Sequence, residues 1–328
     1  MNALTSRRSV PSGLRAGLLA LWLASMGTAN AQDSPSGTGA APFDAAAASY
    51  RLWSGRAPGA VSGAEADAPT LTVVRPSVRW GDGTAVVIAP GGGYVGLSTD
   101  LEGAQPGQWF ASRGVTAFIL HYRLEPAMLP APLLDGARAI RFVRAHAAAF
   151  GLDPRRIGMM GFSAGGHLAA MTAAQADAGE PSAVDPVERA SSRPDFLVLA
   201  YPWLEATVPD GTGVSPYCDF ARRLAHAACR DDAYASLVPS RLVRPGDPPT
   251  FLYHTGADGV VPVEGSVRYY LALRKAYVPA ELHVFEPGDH GSGMGGSHPE
   301  LSQWPTQLQE WMRQHGLLPL PSKGDARP

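Results

Sequence analysis

The stretch Arg156–Gln175, RIGMMGFSAGGHLAAMTAAQ, decides the fold. RIGMM is a short, mainly apolar run of the kind that forms a strand buried on both faces of a parallel sheet. HLAAMTAAQ is rich in strong helix formers and contains no breaker. GFSAGG, Gly161–Gly166, therefore has to turn the chain sharply from strand to helix. In a GxSxG turn of this kind flanking side chains would clash, and Gly161 and Gly165 leave the room that Ser163 needs at the apex. The serine is thereby presented as a nucleophile.

Working outward, the chain alternates apolar runs with longer amphipathic stretches. AVVIA (Ala85–Ala89), VTAFIL (Val115–Leu120), FLVLA (Phe196–Ala200) and TFLYH (Thr250–His254) join RIGMM as central strands, and LHVF (Leu282–Phe285) follows them. Leu133, Ala137, Ile140 and Val143 recur at spacings of four and three, which gives a helix one apolar stripe to lay on the sheet. Leu301, Trp304, Leu308, Trp311 and Met312 form a second stripe, with Gly316 as its stop signal. The pattern predicts an α/β fold with a mainly parallel central sheet and helices on both faces, occupying residues 49–318. Residues 210–247 break the alternation and read as a lid-like insertion, and 319–328 as a flexible tail. No internal repeat is present.

A serine hydroxyl becomes an effective nucleophile when an imidazole takes its proton and a carboxylate holds that imidazole in one tautomer. In this fold class the acid and then the histidine follow the serine, on loops at the C-terminal ends of later strands. Asp258, just past TFLYH, and His290, in the glycine-rich loop after LHVF, occupy those places. Glu264 is the reserve acid. His283 lies within a strand, His298 opens the last helix, His167 follows the serine too closely to reach round, and Asp289 is too near His290 to orient it. The loop APGGGYVGLS after AVVIA offers bare backbone donors for a developing oxyanion: the N–H groups of Gly92 and Gly93, with that of Ala164. It lacks the GxGxxG and GxxxxGK spacings, which argues against a dinucleotide or phosphate site. With no HExxH or paired CxxC, neither a metal nor another cofactor is expected.

The whole chain has 328 residues, 17% of them charged, and 27 basic against 29 acidic side chains give a net charge of −2. There is no positive excess to meet a nucleic acid backbone. Arg7, Arg8 and Arg15 precede an apolar run of about a dozen residues, too short for the ~20 of a spanning helix. Small residues end that run at Ala29–Ala31, so residues 1–31 read as a signal peptide. The paired arginines of SRRSV hint at twin-arginine export, although the usual Phe and Leu do not follow. The leader contains no cysteine for a lipid anchor. Its removal leaves 24 basic against 29 acidic residues. Residues 32–48, rich in Ala, Ser, Gly and Pro, read as a disordered lead-in. An exported chain meets an oxidising compartment, where Cys218 and Cys229 are placed to pair. That pairing requires a break between them, since one continuous helix would hold them about 16 Å apart.

The pieces LWSGRAPGA, PTLTVVRPS, APGGGY, GFSAGGHLAA, SSRPDF and HTGADGVVPV resemble exported acetylxylan-esterase-like members of the α/β-hydrolases, a group related to hormone-sensitive-lipase-type esterases. The resemblance runs from about Tyr50 to Leu318 and implies that Ser163, Asp258 and His290 form a catalytic triad. It also implies a serine carboxylesterase acting on short acyl, above all acetyl, esters of small molecules or plant saccharides. Pro90 stands where the HGGG pattern of the hormone-sensitive-lipase group has histidine, which weakens transfer of that group's preferences. Tyr94, Tyr201 and Trp203, bulky residues near strand ends, are expected to bound the substrate site and shorten the acyl pocket. A prolyl-oligopeptidase-like peptidase would share the serine motif but normally carries a propeller for which this length leaves no room. A non-catalytic member should have lost a triad residue, and none is missing; a long-chain lipase is separated by its rates on long against short esters.

Overall fold

The computed structural model describes residues 48–60, 67–76, 81–124, 130–204, 237–296 and 298–319. Eight strands form one sheet: β1 (Ser49–Arg51), β2 (Thr70–Val74), β3 (Ala85–Ala89), β4 (Thr116–His121), β5 (Ile157–Phe162), β6 (Leu197–Ala200), β7 (Thr250–Thr255) and β8 (Ala280–Phe285). Their spatial order is β1-β2-β4-β3-β5-β6-β7-β8. The first three strands in this order pair antiparallel, and every pairing from β4 to β8 is parallel.

Every residue of β3, β5, β6 and β7 is buried, as their continuous apolar sequences require of strands covered on both faces. Val87, Met159, Leu197, Leu199 and Leu252 point to one side. There they pack with α2 (Ala131–Ala145), α4 (Ser163–Ala174) and α5 (Glu264–Lys275). Val86, Ile88, Met160, Phe162, Val198, Phe251 and Tyr253 point to the other, against α1 (Gln105–Ala111) and α6 (Trp304–Gln314). A short helix, α3 (Ala147–Phe150), follows α2.

Strand limits differ from the sequence expectation by a residue or two. The two antiparallel strands β1 and β2 add to the expected set. Leu133, Ile140 and Val143 of α2 are buried and Ala137 half-buried, as the stripe predicts. The same helix carries Arg138, Arg141 and Arg144. They pair with Asp185 and Glu188 (both 2.6 Å), Asp177 (2.6 Å) and Asp195 (2.8 Å), clamping the connection that leads into β6. The second stripe is entirely buried in and before α6. That helix ends as expected at left-handed Gly316, with the Leu317 N–H bonded to Met312 O at 2.8 Å.

The leader at 1–31, the lead-in up to residue 47, Cys218 and Cys229, and the tail from residue 320 lie outside the described residues. Of the insertion expected at 210–247, only residues 237–247 are described, with one 3-10 turn, Pro239–Arg241.

Trp304 stacks on Tyr253 at 4.7 Å between ring centroids and is fully buried, yet its indole N–H has no partner among the described residues. Trp304→Ala should cost ~3–5 kcal/mol by emptying this volume. Trp304→Phe removes an unsatisfied donor along with some contact area, and should cost under ~1.5 kcal/mol. Urea denaturation checks both; equal losses would contradict this account.

Candidate active site

At the centre of the sheet the backbone passes from extended at Phe162 (φ −115°, ψ 136°) to left-handed at Ser163 (φ 50°) and on into α4. A non-glycine residue held there costs ~1–3 kcal/mol, and its surroundings must impose it. A Cβ on Gly161 would stand 2.1 Å from Gly165 O, and one on Gly165 would stand 2.1 Å from Ala89 O. The turn closes on itself and on the end of β3, leaving the serine side chain at the apex.

The loops after β7 and β8 bring the expected partners to it. Ser163 Oγ lies 2.9 Å from His290 Nε2, and His290 Nδ1 lies 2.7 Å from Asp258 Oδ2. Because Nδ1 meets a carboxylate, the neutral ring carries its proton there and Nε2 is free to accept from the serine. Asp258 Oδ1 accepts the N–H groups of Val260 (2.9 Å) and Val261 (2.8 Å). Burial alone would raise the Asp258 carboxyl. Hydrogen bonds from His254 and His290 and from these two N–H groups instead hold it well below the usual carboxylate range.

His254 is a partner that the sequence reading did not single out. It is fully buried at the end of β7, with Nε2 3.0 Å from Val261 O and 3.4 Å from Asp258 Oδ2, and Nδ1 2.7 Å from Ser266 Oγ. It braces the turn that carries the acid. The available signal was a histidine in an otherwise apolar buried run, where a polar group needs a partner. Glu102, in the π-helical turn Asp100–Ala104, was missed as well: Oε2 accepts the Gly91 N–H at 2.7 Å and Oε1 accepts the Tyr201 hydroxyl at 2.7 Å. Burial pushes this carboxyl up, against the lowering by Tyr201, Gly91 and His290.

The loop after β3 lies against the serine, since a Cβ on Gly91 would be 2.9 Å from Ser163 Cβ. The Gly91 N–H is engaged by Glu102; Gly92 and Gly93 follow it in the same loop, and Ala164 lies in the first turn of α4. Of the three residues expected to bound the substrate site, Tyr94 and Tyr201 are buried and Trp203 is half-buried, its N–H bonded to Ser163 O at 3.0 Å. The Tyr94 hydroxyl meets His167 Nδ1 at 2.8 Å, and His167 Nε2 meets Leu237 O at 2.9 Å. His283 pairs with Glu281, while Asp289, His298 and Glu264 are exposed and outside the relay. A cavity of about 430 Å³ beside the relay is lined by Leu101, Gln105, His290, Ser292, Met294 and His298 among others. Among the described residues no three His, Cys, Asp or Glu side chains converge as a metal site would require.

The profile of the BD-FAE family matches residues 71–273. The chain is 33% identical over 210 residues to endo-1,4-β-xylanase B of Butyrivibrio fibrisolvens, covering 63% of this chain and 32% of that protein. It is 30% identical over 252 residues to an acetylxylan esterase of Xylanibacter ruminicola, covering 75% of this chain and 48% of that one. It thus spans about a third to a half of the length of these curated relatives. The crystal structure of an acetyl ester-xyloside bifunctional hydrolase from Caldicellulosiruptor lactoaceticus superposes with a TM-score of 0.76 at 34% identity, covering 83% of this chain and 97% of that one.

Burial pushes the His167 imidazole down to about 4, only partly opposed by its bond to Leu237 O. Unfolded, the same ring titrates near ~6.5, so between these values the unfolded chain binds the extra proton. The contribution of His167 to stability is present above about pH 6.5 and is lost as the pH falls toward 4, at up to ~1.4 kcal/mol per unit. His167→Gln should lack this component. Urea midpoints at pH 5 and 7 that shift equally in both proteins would contradict a neutral, buried ring.

Proposed function

The chain belongs to the BD-FAE family, and from that premise we propose that it is a serine carboxylesterase releasing short acyl groups, principally acetyl, from saccharide esters. The observation that carries the reading is the relay Ser163–His290–Asp258, with separations of 2.9 and 2.7 Å in the order that nucleophilic catalysis requires. His290 Nε2 takes the proton from Ser163 Oγ as that oxygen attacks the ester carbonyl. The Asp258 carboxylate, kept ionised, offsets the charge on the imidazolium. The carbonyl oxygen turns its negative charge toward the N–H groups of Gly92, Gly93 and Ala164, each such donor being worth ~3 kcal/mol in a transition state. Nε2 then returns the proton to the leaving alcohol, an acyl group remains on Ser163, and water activated by the same imidazole releases it.

The names of the relatives, an acetylxylan esterase and an acetyl ester-xyloside hydrolase, support acetylated xylan or its oligosaccharides as substrate. The export signal read at residues 1–31 agrees with a polymer met outside the cytoplasm.

Ser163→Ala should lose ~10⁴-fold or more in kcat with the fold intact. Initial rates on a p-nitrophenyl series should fall steeply from acetate to octanoate, and acetylated xylan should release acetate. Retained activity in Ser163→Ala would move the nucleophile elsewhere. Octanoate outrunning acetate tenfold would replace this reading with a lipase.

A further inference from the structure

Ester cleavage by this relay places a positive charge on His290 and a negative one on the carbonyl oxygen. A second carboxylate lies between the two loops that meet these charges. Glu102 is 4% exposed. It accepts the Gly91 N–H on one side and the Tyr201 hydroxyl on the other, both at 2.7 Å, and the Tyr201 oxygen accepts the Gly293 N–H at 2.9 Å. Gly91 opens the loop whose next two residues carry oxyanion donors. Gly293 lies three residues beyond His290, and the Tyr201 ring stands edge-on to the His290 imidazole with centroids 5.2 Å apart. One carboxylate thus ties the donor loop to the histidine loop through a single hydroxyl.

A glutamine carbonyl could accept from Gly91, but its amide cannot accept from the Tyr201 hydroxyl, whereas glutamate accepts both donors. Glutamate also adds charge. Among the described residues no arginine or lysine forms an ion pair with Glu102; the groups around it are Gly91 N–H, the hydroxyls of Tyr201 and Tyr122, and His290. A buried anion without a cation is costly. The imidazolium formed during the reaction is the cation this site otherwise lacks, and it is faced by Asp258, Ser163 and Tyr201, with His254 behind Asp258.

We propose that Glu102 is a positioning residue that aligns the oxyanion loop with the loop of His290, and that its negative charge stabilises the His290 imidazolium during ester cleavage. The inference rests on the triad reading. It assigns to a residue of the DLEGA turn a part of the transition-state electrostatics that a Ser-His-Asp relay does not by itself include.

The test compares wild type, Glu102→Gln, Tyr201→Phe and Ser163→Ala on p-nitrophenyl acetate from pH 5 to 9, with urea denaturation at pH 5 and 8. Glu102→Gln should lower kcat about tenfold, with KM within about twofold. The acidic limb of its kcat/KM profile should move to lower pH, because an imidazolium without its anion loses its proton more readily. Burial raises the Glu102 carboxyl, so its penalty on folding is absent in acid and grows as the pH rises through its titration. Removing the charge removes this penalty and offsets the acceptor lost to Tyr201, so stability at pH 8 should change far less than kcat does. Tyr201→Phe should also lower kcat by freeing Gly293, but leave the acidic limb in place.

Unchanged kcat and pH profile in Glu102→Gln overturn the proposal. So does a loss of stability in step with kcat, or a failure to fold, since either would make Glu102 a structural strut. Full activity in Ser163→Ala overturns the triad reading instead.

Discussion

The left-handed backbone of Ser163 is the constraint on which the rest of the site depends. It persists only because the turn is closed so tightly that Gly161 and Gly165 have no space for a side chain, and that closeness extends to the carbonyl of Ala89 on β3. β5 therefore has to lie directly beside β3, as it does in the parallel pairing from Ala85–Ile157 to Ala89–Gly161. Once the two strands are neighbours, the loop leaving β3 emerges beside the serine. Strand pairing thus fixes where the loop after β3 starts relative to Ser163. The same turn drives α4 onto one face of the sheet and leaves the other face for α6.

Much of this was legible in the sequence because it follows from local rules. Continuous apolar runs mark strands buried on both faces, the stripe of α2 marks a helix lying on them, and Gly316 marks where α6 stops. Ser163, Asp258 and His290 could be named because each follows an apolar run at a place where the chain must turn. Glu102 could not be found this way. A glutamate in DLEGA looks like any exposed residue near a helix start, and its burial depends on Gly91, Tyr201 and Gly293, which no local pattern connects to it. Tyr94 and Tyr201 show the reverse difficulty. Their position near strand ends pointed to the substrate site, but the partners of their hydroxyls, His167 and Glu102, are set by tertiary packing that no local pattern reveals.

The two carboxylates near His290 are held in opposite conditions. Asp258 receives two backbone N–H groups and two imidazoles, so its charge is satisfied before any substrate arrives. Glu102 receives one N–H and one hydroxyl and is pushed toward its neutral form by burial. The same bonds that satisfy Asp258 set the orientation of the ring, whereas the bonds of Glu102 set the spacing of the loops. Orientation and spacing are therefore controlled by different side chains.

His167 gives the fold a further property. Through its two ring nitrogens it joins Tyr94 of the oxyanion loop to the carbonyl of Leu237, while Trp203 bonds to the serine's own carbonyl and Leu204 is buried beside it. Trp203 and Leu237 are thus fastened, one to the turn of Ser163 and the other to the helix that follows it. His167 therefore acts as a rivet: its loss would slacken the loop after β3 and the backbone at Leu237 together.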